Sequence, residues 1–191
     1  MKGKSNPSKP DFNQARLDFK KAKIVIIALL LVNCSLFSQI DKSWLGIWKG
    51  ELKIHSYSDT DIRHTLPMEL HISKTDSQRV WNWRIIYRDS TKDDRKYLLR
   101  IDDYNKGKYI IDETDGILLE ANLFGNKLIS RFEVMNSLLE ITYTLDGDKI
   151  LFEVSSSNLK PTSVTQSQAE QVEVKSYEIT SYQTAILYKQ K

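Results

Sequence analysis

The chain has 191 residues, 28 of them basic and 25 acidic, with a formal net charge of +3, three histidines and one cysteine. A single cysteine excludes a disulfide framework and a cysteine-based zinc ribbon. The small basic surplus is confined to the start of the chain: residues 1–39 hold seven of the 28 basic and two of the 25 acidic residues, leaving the remainder acidic by two, which removes the electrostatic basis for a nucleic-acid partner.

Taken in chain order, the first element is an export signal. Lys20, Lys21 and Lys23 form a basic patch, Ile24 to Val32 is an unbroken apolar run, and Asn33-Cys34-Ser35-Leu36-Phe37-Ser38-Gln39 follows with small residues. This order predicts a signal peptide cut after Ser38. The apolar run falls well short of the roughly 20 residues that span a bilayer. A long polar stretch precedes the basic patch, and a start at Leu17 would shorten it to Asp18-Phe19-Lys20-Lys21-Ala22-Lys23. The expected organisation is an N-terminal extension plus signal peptide over 1–38 and one domain over 39–191, long enough to bury a proper core. The expected location is secreted or periplasmic. Leu31-Val32-Asn33-Cys34 also resembles a bacterial lipobox, which would make Cys34 a lipid anchor, but Asn33 stands where that pattern has a small residue. Membrane association is expected only through the export segment or this lesser Cys34 alternative.

Beyond residue 39 the apolar period is two. Trp44, Trp48, Leu52 and Ile54 share a parity opposite to Lys49, Glu51 and Lys53. Leu66, Met68, Leu70 and Ile72 alternate with Glu69, His71 and Ser73, and Trp81, Trp83, Ile85 and Tyr87 alternate with Asn82, Arg84 and Arg88. Tyr97, Leu99 and Ile101 alternate with Lys96, Arg100 and Asp102. Such runs are half-buried antiparallel strands with one dry and one wet face. The polar loop Asp89–Asp94, and the turn residues Asn105-Lys106-Gly107, Asp115-Gly116, Gly125-Asn126, Met135-Asn136 and Asp146-Gly147-Asp148, punctuate the pattern about every ten residues. The predicted strands are 44–55, 65–74, 79–88, 95–103, 108–112, 117–124, 127–134, 137–145, 149–156 and 178–189.

Between the last two, Ser155 to Glu170 is rich in Ser, Thr and Gln and reads as a long flexible loop, centred near 157–171. The final strand must close against the first if no edge is to stay open. The expected fold is all-β, an antiparallel up-and-down barrel of eight to ten strands behind a signal peptide.

Trp44-Leu45-Gly46-Ile47-Trp48-Lys49-Gly50 carries the most specific signal. Gly46 allows close backbone approach, and Trp48 can plug one end of a barrel. Gly46-Ile47-Trp48 on the first strand, followed by a run of antiparallel strands, resembles the calycin superfamily of lipocalins, fatty-acid-binding proteins and nitrobindin-like barrels. That resemblance implies a lipocalin-like barrel that binds a small, usually apolar molecule. It also implies a basic side chain from the last strand lying over the tryptophan; Lys189 is placed there, with Lys191 second. Two departures limit it. Ser56 to Arg63 is too short for the helix pair of fatty-acid-binding proteins, and no histidine follows His71 to hold a haem as in nitrobindin-like barrels. The Leu36-Phe37-Ser38-Gln39 exit is similar to that of secreted proteins of Bacteroidetes-type bacteria.

No nucleophile elbow, Gly-rich phosphate loop or cysteine pair is present, so catalysis is not expected, nor is a cofactor. His55 and His64 could be neighbours across a hairpin, with Asp59 and Asp61 nearby, yet a metal site needs three or four ligands held in geometry. Asp112-Glu113-Thr114-Asp115-Gly116 lacks the spacing of an EF-hand loop and reads as a turn, and Arg84, Arg88 and Arg100 read as solvated charges. Two functions stay open. One is a carrier with an internal cavity lined by Trp81, Trp83, Tyr87, Tyr97, Phe132 and Tyr143. The other is a filled barrel in the cell envelope that binds partners through Asp89–Asp94 and Ser155–Glu170. Internal volume discriminates the two; an enzyme built on the same barrel is a third reading.

Overall fold

The period-two segments pair into one continuous sheet. The computed structural model describes residues 40–56, 59–89, 93–169 and 172–191; the segment expected to be a signal peptide and Cys34 lie outside these. The described strands are β1 (Gly46–Ser56), β2 (Asp59–Lys74), β3 (Val80–Tyr87), β4 (Asp94–Asp103), β5 (Lys108–Asp112), β6 (Leu118–Phe124), β7 (Lys127–Val134), β8 (Ser137–Asp146), β9 (Lys149–Asn158), β10 (Ser163–Gln166), β11 (Glu173–Ser176) and β12 (Ile179–Lys189). Tyr104–Lys106 forms a single 3-10 turn, capped by the Asp103 carboxylate. Among the described residues no helix is long and apolar enough to cross a membrane.

Ten strands close into an antiparallel barrel in the order β1-β12-β9-β8-β7-β6-β5-β4-β3-β2, so each strand lies beside its neighbour in sequence apart from the excursion between β9 and β12. β12 closes on β1 in register, Trp48 opposite Lys189 and Leu52 opposite Ala185. On its other side Trp48 faces Leu70 of β2. The β7–β8 connection is a two-residue turn in which Met135 and Asn136 both have positive φ, 48° and 63°, the twist that a tight hairpin requires.

The excursion is not a featureless loop. β10 and β11 pair as a separate two-stranded ribbon, Thr165 opposite Val174. All eight of their residues are exposed, so the ribbon has no dry face to advertise itself as alternating hydrophobicity.

One end of the barrel is solid. Trp48 is fully buried, and its Nε1 donates to the Trp44 carbonyl at 2.9 Å. Lys189 Nζ lies 4.9 Å from the Trp48 ring centroid and donates to the Ser43 carbonyl at 3.0 Å. Ile40, also buried, donates its backbone N–H to Tyr109 Oη at 3.1 Å, tying the start of the domain across the base. Gly46 has φ +139°, and a Cβ there would sit 2.9 Å from Lys189 Cε. Gly50 meets a harder constraint: a Cβ would sit 2.2 Å from the Ile186 carbonyl oxygen of β12. Gly46, Trp48 and Lys189 thus form the basal plug together, and Gly50 joins them by setting how closely β1 and β12 approach.

Candidate functional site

Above this plug the barrel is hollow. A cavity of about 710 Å³ opens at the end of the barrel opposite the plug, where Ile54, Arg88, Asp93, Glu113, Val134 and Gln183 line its mouth. Every barrel strand supplies at least one inward side chain. Leu52 and Ile54 come from β1, Leu66 from β2, Ile85 and Tyr87 from β3, and Tyr97 from β4. Ile111, Leu119, Phe132, Leu139, Ile141, Val154 and Gln183 complete most of the wall.

Aromatic rings packed edge-on and tilted make the floor. Tyr143 meets Phe152 with ring centroids 5.1 Å apart, and the Trp83 ring stands edge-on to Tyr143 at 5.1 Å and 89°. Burial pushes the Tyr143 phenol above its usual range, so it stays neutral. Trp83 Nε1 is buried with no hydrogen-bond partner.

Of the six residues predicted to line a cavity, Tyr87, Tyr97, Phe132 and Tyr143 do so. Trp81 and Trp83 do not. Trp83 is fully buried against Trp44 at 6.2 Å, and Trp81 against Tyr109 at 6.3 Å, both in the solid base. Parity says that a strand residue points inward; it does not say how far along the barrel axis it sits.

The mouth holds groups that the sequence reading passed over. Arg95 has the inward parity of Tyr97 and Leu99, a signal visible in the sequence. Its Nε donates to Asp93 Oδ1 at 3.1 Å, and its guanidinium lies 5.1 Å from the Tyr87 ring centroid. The Asp93 and Tyr97 contacts outweigh partial burial and hold the guanidinium firmly charged. Burial raises the Tyr87 phenol to about 12. Burial also raises the Tyr97 phenol, with Arg95 acting to lower it and Glu113 to raise it. Arg88, expected on a wet face, instead joins this rim, its φ of 64° turning it where β3 ends. Glu113, Glu133 and Gln183 complete the polar ring.

The remaining candidate residues are occupied outside the cavity. Arg84 makes a two-pronged contact with Asp94 at 2.7 and 2.9 Å, and Arg100 pairs with Asp112 at 2.7 Å. Asp112 and Asp115 accept from the backbone of Thr114 and Ile117, which shapes the acidic turn. His71 bonds Glu69 at 2.7 Å, and His55 packs near Tyr182. Among the described residues no group of three or more His, Cys, Asp or Glu side chains could hold a metal ion. Comparison with protein-family models and with curated proteins finds no match for the chain.

Proposed function

We propose that this chain is an exported, lipocalin-like carrier of the calycin type that takes up a small, mostly apolar molecule through the open end of its barrel. The observation that carries the reading is the cavity of about 710 Å³, walled by Leu52, Leu66, Leu119, Ile141 and Phe152 and sealed below by Trp48. Its volume lies within the range of about 300–1,000 Å³ typical of small-molecule sites, and its lining is of the usual kind, apolar with a few convergent polar groups. The sealed base gives a single route in and out. That suits holding a ligand rather than conducting it. The cavity weighs against the alternative of a filled barrel acting through its loops. The signal-like N-terminal sequence supports a carrier that works outside the cytoplasm.

The test is uptake of the uncharged dye N-phenylnaphthylamine. Saturable fluorescence enhancement is expected with the wild-type protein and loss of it with Ile141→Trp or Leu119→Trp, each of which fills the hollow from a different strand. Unchanged far-ultraviolet circular dichroism in the variants confirms that the barrel has formed. A wild-type protein that leaves the dye dark overturns the reading.

A further inference from the structure

The cavity is divided into two chemical zones. Its depth is aliphatic and aromatic, built from Leu52, Ile111, Leu119, Ile141 and Phe152. Its mouth carries the polar groups of Arg95, Tyr97 and Glu113, all of which line the cavity. A wholly hydrocarbon occupant would strip water from these groups and return no hydrogen bond, a cost that polar side chains do not bear without compensation.

Both charge signs are present at the mouth. The described lining residues include Arg88 and Arg95 against Asp93, Glu113 and Glu133. Arg95 already directs its Nε at Asp93. A carboxylate placed at Arg95 would therefore also face Glu113 and Glu133, and an ammonium at Glu113 would face Arg88 and Arg95. In either case attraction and repulsion offset each other, and the desolvation cost of the ligand's own charge is left unopposed. A neutral head avoids that cost. If it both accepts and donates, it can accept from Arg95 and donate to Glu113.

From this juxtaposition we infer that the occupant is an uncharged single-chain amphiphile, its chain in the aliphatic depth and a hydroxyl- or amide-type head at Arg95, Tyr97 and Glu113. The inference rests on the carrier reading and narrows its ligand class.

The experiment is displacement of bound N-phenylnaphthylamine at neutral pH by a set sharing one alkyl chain: dodecanamide, dodecanol, dodecyl methyl ether, laurate and dodecylamine. The ether is the control for hydrophobicity, being neutral and unable to donate. Dodecanamide is expected to displace the dye about tenfold more tightly than the ether, the worth of one hydrogen bond to a charged partner. Glu113→Leu should erase most of that margin while leaving the ether's affinity unchanged, which also reports that the variant folds. Arg95→Leu should weaken the amide and the ether together, since an ether oxygen accepts from the guanidinium as an amide oxygen does, with unchanged circular dichroism showing that the barrel has formed. An ether that binds as well as the amide, or laurate or dodecylamine binding more tightly than the amide, overturns the inference and leaves the carrier reading intact. No dye uptake by the wild-type protein overturns both.

Discussion

Replacing Trp48 by alanine tests the basal plug most directly. The side chain is fully buried, so its removal forfeits its apolar contacts and leaves a void; truncating a buried tryptophan costs about 3–5 kcal/mol. The Nε1 bond to the Trp44 carbonyl and the Lys189 ammonium above the ring are lost as well, each worth of order 1 kcal/mol. An overall loss of about 5 kcal/mol follows, comparable to the entire margin of many domains. For a domain of this size it corresponds to a fall in Tm of roughly 10–20 °C. Trp48→Phe keeps an aromatic ring under Lys189 but removes the N–H donor, and should lose about 1–2 kcal/mol. Thermal and urea denaturation followed by circular dichroism measure both. A loss below about 2 kcal/mol for Trp48→Ala would refute the claim that this indole holds the base together.

Gly50→Ala should be more damaging than Gly46→Ala. The added carbon at position 50 meets the Ile186 carbonyl of β12, which is backbone and must part from β1, whereas at position 46 it meets the flexible end of Lys189 and adds backbone strain of about 1–2 kcal/mol. The reverse order of urea midpoints would contradict this account of the seam. Raising the pH should weaken the fold between about 10, where Tyr87 ionises in the unfolded chain, and about 12, where it ionises when folded. The folded state holds the proton more tightly, so its advantage is complete below the lower value and is lost as pH climbs through the upper one. Denaturant midpoints across that window, compared with those of Tyr87→Phe, measure the effect; a variant with the same alkaline slope would remove Tyr87 as its source. Replacing residues 161–176 by a short turn should change stability by less than about 1 kcal/mol, because both ribbon strands are exposed throughout. A larger loss in thermal melting would show that the ribbon braces the barrel.

Much of the barrel was readable from side-chain alternation. Predicted strands 108–112 and 127–134 coincide with β5 and β7, and the closure of the last strand on the first follows from the need to leave no edge. Height along the barrel axis was not readable, because it depends on strand tilt and stagger rather than on any local pattern. That is why Tyr87 and Tyr97 reach the cavity while Trp81 and Trp83, on the same inward parity, are walled into the base. Arg95 was within reach, since its parity matches that of Tyr97. Its contact with Asp93 is local in sequence, whereas its place 5.1 Å from the Tyr87 ring centroid arises only when β3 and β4 pair. Gly50 was invisible as a constraint for a similar reason: the atom it must avoid belongs to Ile186, far along the chain.

The seam between β1 and β12 also governs when the molecule can become functional. The bond from Lys189 to Ser43 joins groups 146 residues apart, and until it forms β1 and β9 each present an unzipped edge. Contacts this distant in sequence make for slow folding and a long-lived intermediate prone to sticking to its own kind. The ribosome releases β12 after every other strand of the barrel, so the sheet can close and the cavity take shape only once that strand has emerged.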